Sequence, residues 1–191
     1  MKVEHLMLDN VNQFYFKCPP RGKIDFVQDL FEAFEKNTQT IIFVNTKDFA
    51  DKVYTKLNDN GYRCYIIFGK LEKEERDSCI EKFRKGEISV LIATNLISRG
   101  FDVHTIKLVI NFDVPFNQGK PDYENYLHRI GRTGRFGDTG IALTLFDREQ
   151  DEQAFFDIIK HYKMEDKVLP LKGGATQLSD LISKAKLDSI C

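Results

Sequence analysis

Residues 40–45, Thr-Ile-Ile-Phe-Val-Asn, form a continuous apolar run that predicts a β-strand buried on both faces. A helix is predicted to follow directly, with either Asn45 or Thr46 capping its first turn. Four apolar residues recur at helical spacing and are expected to face inward: Phe49, Ala50, Val53 and Leu57. A strand of this kind followed by such a helix is typical of a parallel sheet covered by helices.

Strands and helices alternate outward from this stretch along the rest of the chain. Further strands are predicted over residues 13–17, 63–68, 88–93, 107–112 and 140–146, and further helices over 23–34, 71–85, 147–160 and 177–187. This alternation predicts βαβ units and an α/β fold with an open, mainly parallel sheet. Ligands of such sheets bind beyond the carboxyl ends of the strands, so chemistry is expected in the loops that begin at Thr46, Gly69, Thr94 and Asp113.

The composition of the 191 residues is typical of a soluble globular domain, since 42% of them are hydrophobic and 30% are charged. No apolar run reaches the about 18 residues that span a bilayer, and the start of the chain lacks a signal-peptide core. The cysteines at 18, 64, 79 and 191 show no metal-binding spacing, which favours a reduced intracellular protein with Cys64 and Cys79 in the core and without a metal site. With a net charge of −1, the chain is expected to bind any nucleic acid through local basic patches.

The stretch from Tyr123 to Gly137 joins an amphipathic helix to a glycine-rich loop. The apolar face of this helix consists of Tyr123, Tyr126, Leu127 and Ile130. Three arginines and one histidine lie between Leu127 and Gly137, with no acidic residue among them. Glycines beside Arg132 and Arg135 allow close approach of a ligand, and guanidinium groups suit a phosphate. The alternative is an ordinary basic surface loop.

Two further segments carry polar groups next to apolar ones. In the loop that follows the strand at 88–93, the Thr94 hydroxyl can donate to a phosphate, and Asp102 can accept from a ribose hydroxyl. Alternatively, Thr94 caps a helical turn and Arg99 pairs with Asp102. Arg76 lies in line with the apolar stripe of its helix, so it either reaches along the helix surface or points at a ligand. The chain lacks the G-x-x-x-x-G-K-[ST] loop and an obvious Mg²⁺ ligand set, which indicates half of a composite site.

Four segments resemble motifs of the DEAD-box RNA helicases and occur in the family's order. Residues 128–135, His-Arg-Ile-Gly-Arg-Thr-Gly-Arg, resemble motif VI, and residues 94–102 resemble motif V. Residues 109–113 resemble the strand between them, and residues 41–46 resemble motif IV. The resemblance implies the second of the family's two RecA-like lobes. The same resemblance implies three segments: a lead-in and edge strand over 1–22, the helicase domain over 23–167, and a C-terminal segment over 168–191. The last segment consists of a linker at 168–175 and a helix.

The resemblance also implies roles for individual residues. Arg132 and Arg135 are implied as catalytic arginine fingers that reach the γ-phosphate of ATP, whose Mg²⁺ is held by the missing N-terminal lobe. The other implied nucleotide contacts are Gly100, Asp102 at the ribose and Phe136 near the adenine. The implied contacts to RNA phosphates are Asn45, Thr46, Gly69, Arg76 and Thr94, whereas His128 and Arg129 are implied to couple the lobes or support the structure. Departures from the family pattern are Asn95, Ser98 and Lys73, where Asp, Ala and Gln are usual.

The function implied by the resemblance is an RNA-stimulated ATPase that unwinds RNA or remodels RNA–protein complexes. Its implied partners are single-stranded RNA and its own N-terminal lobe, and it is expected to be a monomer without membrane attachment. The loop at 116–122 is longer than in most of the family and resembles an insert of the mRNA-export members at the nuclear pore. That likeness implies a cytoplasmic, nuclear-pore or nuclear location and an activator that binds with inositol hexakisphosphate. The alternatives are a translation-initiation member and a non-catalytic adaptor lobe.

Overall fold

A computed structural model describes residues 10–33, 37–94, 106–134 and 139–188, with side chains up to residue 184. Its strands are β1 (Val11–Lys17), β2 (Thr40–Val44), β3 (Cys64–Ile67), β4 (Val90–Thr94), β5 (Leu108–Asn111), β6 (Phe116–Asn117), β7 (Lys120–Pro121), β8 (Gly140–Phe146) and β9 (Val168–Pro170). Seven of them form one sheet in the order β3-β4-β2-β5-β8-β1-β9, and every neighbouring pair is parallel. The predicted α/β fold is confirmed.

Helices cover both faces of this sheet. The first face packs against α1 (Lys23–Glu32), α2 (Lys47–Asp59) and α6 (Gly174–Asp188), and the second against α3 (Lys73–Arg84), α4 (Tyr123–Ile130) and α5 (Glu149–His161). Successive side chains of a strand point to opposite faces. Ile42 therefore packs in one cluster with Leu30 and Leu57, whereas its neighbour Phe43 packs in another with Phe83.

The C-terminal segment differs from the prediction. The linker over 168–175 is wrong at both ends. Val168–Pro170 forms β9, which pairs with β1 from Gln13 to Tyr15, and the final helix begins at Gly174. β9 occupies the edge of the sheet, so the prediction of β1 as an edge strand is also wrong, and the sheet extends beyond 23–167 on both sides. The final helix packs on α1, where the Ser179 hydroxyl donates to the Ala33 carbonyl at 2.6 Å.

The helix α2 begins as predicted but does not bury its whole apolar stripe. Thr46, rather than Asn45, is its N-cap, and its Oγ1 accepts a hydrogen bond from the Phe49 backbone N–H at 3.3 Å. Ala50, Val53 and Leu57 are buried, but the prediction for Phe49 is wrong, since this side chain is 38% exposed. A first-turn residue can follow the helical spacing and still project beyond the end of the sheet.

The insert at 116–122 forms a small antiparallel hairpin of β6 and β7. Its two-residue turn, Gln118 and Gly119, has φ angles of 49° and 78°, which match the twist of a tight hairpin. The hairpin leads into α4, whose N-cap Asp122 accepts from the Asn125 backbone N–H at 3.1 Å. Among the helices that the structure describes, none is long and apolar enough to cross a membrane.

Candidate functional site

Four of the predicted RNA contacts lie together at the carboxyl edge of the sheet. β3, β4 and β2 are neighbours, with Val44 opposite Thr94 and Ile67 opposite Ala93. The loops that leave these strands therefore begin side by side and carry Asn45, Thr46, Gly69 and Thr94. Thr46 and Gly69 are exposed and Thr94 is half-buried. This edge also presents the N-terminus of α2, where the helix dipole favours an anion.

The Asn45 side chain is engaged inside the lobe. Its Nδ2–H donates to the Val114 carbonyl at 2.8 Å, and its Oδ1 accepts from the Arg129 guanidinium at 3.2 Å. Its backbone N–H donates to the Asp113 carboxylate at 2.9 Å. Asn45 therefore ties the end of β2 to the segment after β5 and to α4.

Arg129 lies at the centre of this network and is only 1% exposed. Its Nη1–H donates to the Asp113 carbonyl at 2.6 Å, and its guanidinium carbon lies 5.2 Å from the centre of the Phe43 ring. Burial lowers the pKa of Arg129 from 12.5 to about 9, against the opposing effect of Asp113 and Asp122. The group therefore remains a cation at neutral pH, with a supporting role inside the lobe.

Arg76 is half-buried on α3, in line with the buried Cys79, Ile80 and Phe83. Its Nη2–H donates to the Leu71 carbonyl at 3.3 Å, so its guanidinium reaches back over the start of its own helix. Leu71 lies two residues after Gly69 in the chain. Of the two alternatives for this arginine, the geometry favours the one in which it reaches along the helix surface toward the loop of Gly69.

Arg132 lies at the opposite, amino edge of the sheet. Its neighbour Thr133 is buried and donates its hydroxyl to the Ile106 carbonyl, just before β5, at 2.8 Å. Gly134 has a φ of 69°, and a Cβ there would lie 2.8 Å from the Asn10 carbonyl oxygen, so this contact with the start of β1 requires glycine. The Arg132 Nε–H donates to the His128 carbonyl at 3.0 Å, which places its side chain against the end of α4.

The structure describes only one of the remaining predicted site residues, His128. His128 is partly exposed, with its Nε2 3.7 Å from the Glu124 carboxylate on the preceding turn of α4. Gly100, Asp102, Arg135 and Phe136 lie outside the described residues. The described segments contain no group of three or more His, Cys, Asp or Glu side chains arranged to hold a metal ion.

Sequence reasoning missed a buried charge cluster beside the Arg129 network. Lys23 Nζ lies 3.3 Å from an Asp113 oxygen and 3.4 Å from an Asp147 oxygen, and it reaches Asp151 at 4.0 Å. A lysine at the start of a helix normally faces water, so no local pattern marks it. Its partners lie far away in sequence and follow the ends of β5 and β8.

Residues 22–137 match the family described as helicase conserved C-terminal domain. The ATP-dependent RNA helicase DBP5 of Debaryomyces hansenii is 38% identical over 161 residues, which cover 83% of this chain and 32% of that protein. The chain belongs to the DEAD-box RNA helicases. It forms their C-terminal RecA-like lobe, and it spans about a third of the length of the DBP5 relatives it matches. The probable eukaryotic initiation factor 4A of Trypanosoma brucei brucei is 36% identical over 171 residues, which cover 90% of this chain and 41% of that protein.

Solved structures of Dbp5 share this lobe. S. cerevisiae Dbp5 bound to RNA and ADP BeF3 has a TM-score of 0.84 and 33% identity, over 93% of this chain and 46% of that chain. A variant of S. cerevisiae Dbp5 bound to a variant of Gle1 and to IP6 has a TM-score of 0.80 and 34% identity, again over 93% of this chain and 46% of that chain. The lobe is therefore close to that of Dbp5 in both sequence and fold.

Proposed function

We propose that this chain is the C-terminal lobe of an RNA-stimulated ATPase that remodels RNA or RNA–protein complexes. One observation carries the proposal. The sheet has the Arg132 loop at its amino edge and Thr46, Gly69 and Thr94 at its carboxyl edge, and Arg129 joins the two. An ATP-driven RNA clamp needs two such surfaces on one rigid body, because nucleotide and RNA must both favour the same closed arrangement.

The arginine loop provides the nucleotide side of the proposal. Arg132 and Arg135 act as fingers on the γ-phosphate of an ATP whose phosphates and Mg²⁺ are held by the N-terminal lobe. Gly100, Asp102 and Phe136 contact the same nucleotide. The buried Thr133 hydroxyl and the close contact of Gly134 fix the backbone beside Arg132, which supports a preorganised finger. The isolated lobe hydrolyses no ATP under this proposal.

The carboxyl edge provides the RNA side. Thr46, Gly69 and Thr94 present hydroxyl and backbone groups to phosphates, with Arg76 behind Gly69 and Asn45 holding the edge in place. Contacts to phosphates carry no sequence information, so we expect RNA to be bound with little sequence preference and with a strong dependence on salt. His128 and Arg129 act within the lobe rather than on RNA.

The likeness to Dbp5 supports a role in mRNA export, in the cytoplasm and at the nuclear pore. The structure of the S. cerevisiae relative with Gle1 and IP6 supports an activator of that type, bound with inositol hexakisphosphate. The hairpin at 116–121, which follows β5, is the local feature of this chain that favours the export branch. A monomeric protein that closes around single-stranded RNA fits this role.

The test is the ATPase rate of the protein that carries both lobes, with and without single-stranded RNA. Stimulation by RNA that Arg135→Ala removes, while the urea unfolding midpoint is unchanged, is the expected result. Turnover by the 191-residue chain alone that persists in Arg132→Ala would contradict the composite site. No turnover even with RNA and a Gle1-type activator would favour the adaptor alternative.

A translation-initiation role is the second candidate, because the trypanosome initiation factor is 36% identical to this chain. The two candidates differ in their activator. We expect a Gle1-type activator with inositol hexakisphosphate to raise the RNA-stimulated rate. An RNA-stimulated rate that does not change when the activator and inositol hexakisphosphate are added would favour the initiation candidate.

A further inference from the structure

A pocket of about 410 Å³ opens at the carboxyl edge of the sheet, beside the predicted RNA contacts. Its apolar lining consists of Ile24, Phe49 and Phe112, and its exposed basic rim consists of Arg21, Lys52 and Arg148. The pocket adjoins Thr46 directly, since the Phe49 backbone N–H donates to the Thr46 hydroxyl. It therefore continues the carboxyl edge from β2 toward β5 and β8.

Phe49 gives this pocket an exposed aromatic face. Its ring is tilted against the buried Phe112 ring, with centroids 5.8 Å apart, and the Lys52 ammonium lies 5.5 Å from its centroid. The ring is thus supported on one side by the core and flanked by a cation. Exposed aromatic rings combined with cations are the common arrangement for holding the bases of single strands.

The carboxylates of the pocket lie beneath its rim. Asp113 and Asp147 share the buried Lys23 ammonium with Asp151, and their side chains are only 9% and 17% exposed. On the rim, two hydrogen bonds of 2.8 and 2.9 Å to Asp151 hold the Arg148 guanidinium, while 67% of its side chain remains exposed. The exposed charged side chains that line the pocket are therefore cations, one of which, Lys52, is also paired with Asp48 at 2.7 Å.

Arg21 is held in a strained conformation at the same rim. Its φ is 61°, in the left-handed region that favours glycine, and its backbone N–H donates to the Asp147 carboxylate at 3.1 Å. The turn is closed by the Gly22 N–H, which donates to the Pro19 carbonyl at 2.9 Å. Strain of this kind concentrates at binding sites, where the surroundings enforce it.

We propose that this pocket binds one nucleotide of single-stranded RNA, with its base against Phe49 and its phosphate among Arg21, Lys52 and Arg148. The inference rests on the proposed RNA-binding function and extends the RNA surface beyond Thr46. An acidic protein segment is the rival occupant. RNA is favoured because the pocket continues the edge that carries Thr46, Gly69 and Thr94, and because an aromatic face serves a base better than a carboxylate.

The chain contains no tryptophan, so Phe49→Trp creates a single tryptophan inside the pocket, whose fluorescence can be excited selectively over that of the seven tyrosines. Phe156→Trp is the matched control, because Phe156 is 41% exposed, lies on α5 and does not line the pocket. Each variant of the 191-residue chain is titrated with a uridine decamer, an abasic decamer and polyglutamate. We expect the uridine decamer to quench Phe49→Trp saturably, about 5-fold or more tighter than the abasic decamer, as base stacking requires. Phe156→Trp should not respond.

A second variant tests the phosphate contact. Arg21→Gly relieves the positive φ, so it should fold at least as stably as the wild type. It should nevertheless weaken binding of a labelled uridine decamer and lower the slope of log K against log salt by about 0.7. Arg21→Lys keeps the charge and should retain that slope.

Three results would overturn the inference. One is equal quenching at positions 49 and 156, and another is polyglutamate binding as tightly as RNA. The third separates this inference from the proposed function: the wild type binds RNA and Thr94→Val weakens it, while Arg21→Gly and the Phe49→Trp reporter show no effect. Absence of RNA-stimulated ATPase activity in the two-lobed protein would instead overturn the proposed function.

Discussion

The Arg129 guanidinium donates a hydrogen bond to the Asn45 side-chain oxygen at 3.2 Å, and this bond joins the two candidate surfaces of the lobe. Arg129 is three residues before Arg132, and Asn45 is directly before Thr46. Both side chains make further hydrogen bonds, to the Asp113 and Val114 carbonyls respectively. A shift of α4 must therefore move or break the support of the strand end that carries Thr46.

We expect Arg129→Met to lower the free energy of unfolding by about 3 kcal/mol, because it strips buried acceptors of a charged donor. Lys85→Met is the comparison variant: its ion pair with Glu81 is exposed at both side chains, so about 0–1 kcal/mol is expected. Urea unfolding of both variants at neutral pH measures the difference. Equal losses would show that the Arg129 network adds no more than a surface ion pair.

The central strands of this fold are predictable because burial on both faces leaves a strong local pattern. The runs at 40–45, 88–93 and 140–146 are mainly apolar and contain β2, β4 and β8. β9 left no such pattern, since its three residues form a strand only by pairing with β1, more than 150 positions earlier. Local sequence carries the hydrophobic period but not the long-range pairing.

Part of the candidate site was predictable once the parallel strands were predicted. The register of β2 and β4 brings Thr46 and Thr94 together, as expected from the loops that leave parallel strands. The same rule gave no sign that Arg132 lies at the amino edge, because α4 carries the chain across the face of the sheet. The rule also did not show that the Asn45 side-chain oxygen accepts a hydrogen bond from Arg129, which lies 84 positions later in the chain.

Gly134→Ala should destabilise the lobe more than Gly86→Ala. Both glycines have a positive φ, 69° and 73°, so both variants carry a strain of about 1–2 kcal/mol. Only at Gly134 would the new Cβ meet atoms, at 2.7 Å from Val11 and 2.8 Å from the Asn10 carbonyl, which adds about 1–3 kcal/mol. Thermal or urea unfolding of the pair isolates the contact, and similar losses would mean that the loop is not held against β1.

Stability should fall in alkaline solution through the buried thiols. Burial raises the pKa of Cys18 from 9.0 to about 12, so the folded state retains a proton that the unfolded state releases. This contribution is fully present below pH 9 and is lost as the pH rises toward 12, by at most about 1.4 kcal/mol per pH unit.

Cys18→Ala should flatten this decline. Cys64, Cys79 and Arg129 titrate alike in both proteins, so their effects cancel in the difference between the two curves. Urea midpoints at about pH 8 and about pH 11 give the two slopes. Parallel curves for the wild type and Cys18→Ala would contradict a buried, protonated thiol at the end of β1.

Because Thr94 and Arg132 lie at opposite edges of the sheet, their variants should alter different kinetic constants of the two-lobed protein. Arg132→Ala should lower kcat of the RNA-stimulated ATPase by about 10³–10⁵-fold, the range for loss of an arginine finger, with the RNA concentration for half-maximal stimulation unchanged. Thr94→Val preserves shape and removes one hydroxyl, so it should raise that RNA concentration about tenfold and leave kcat near the wild-type value. Steady-state ATPase assays over a range of RNA concentrations separate the two constants, with unfolding midpoints as the check on folding. If both variants changed the same constant, the assignment of RNA and nucleotide to separate edges would be wrong.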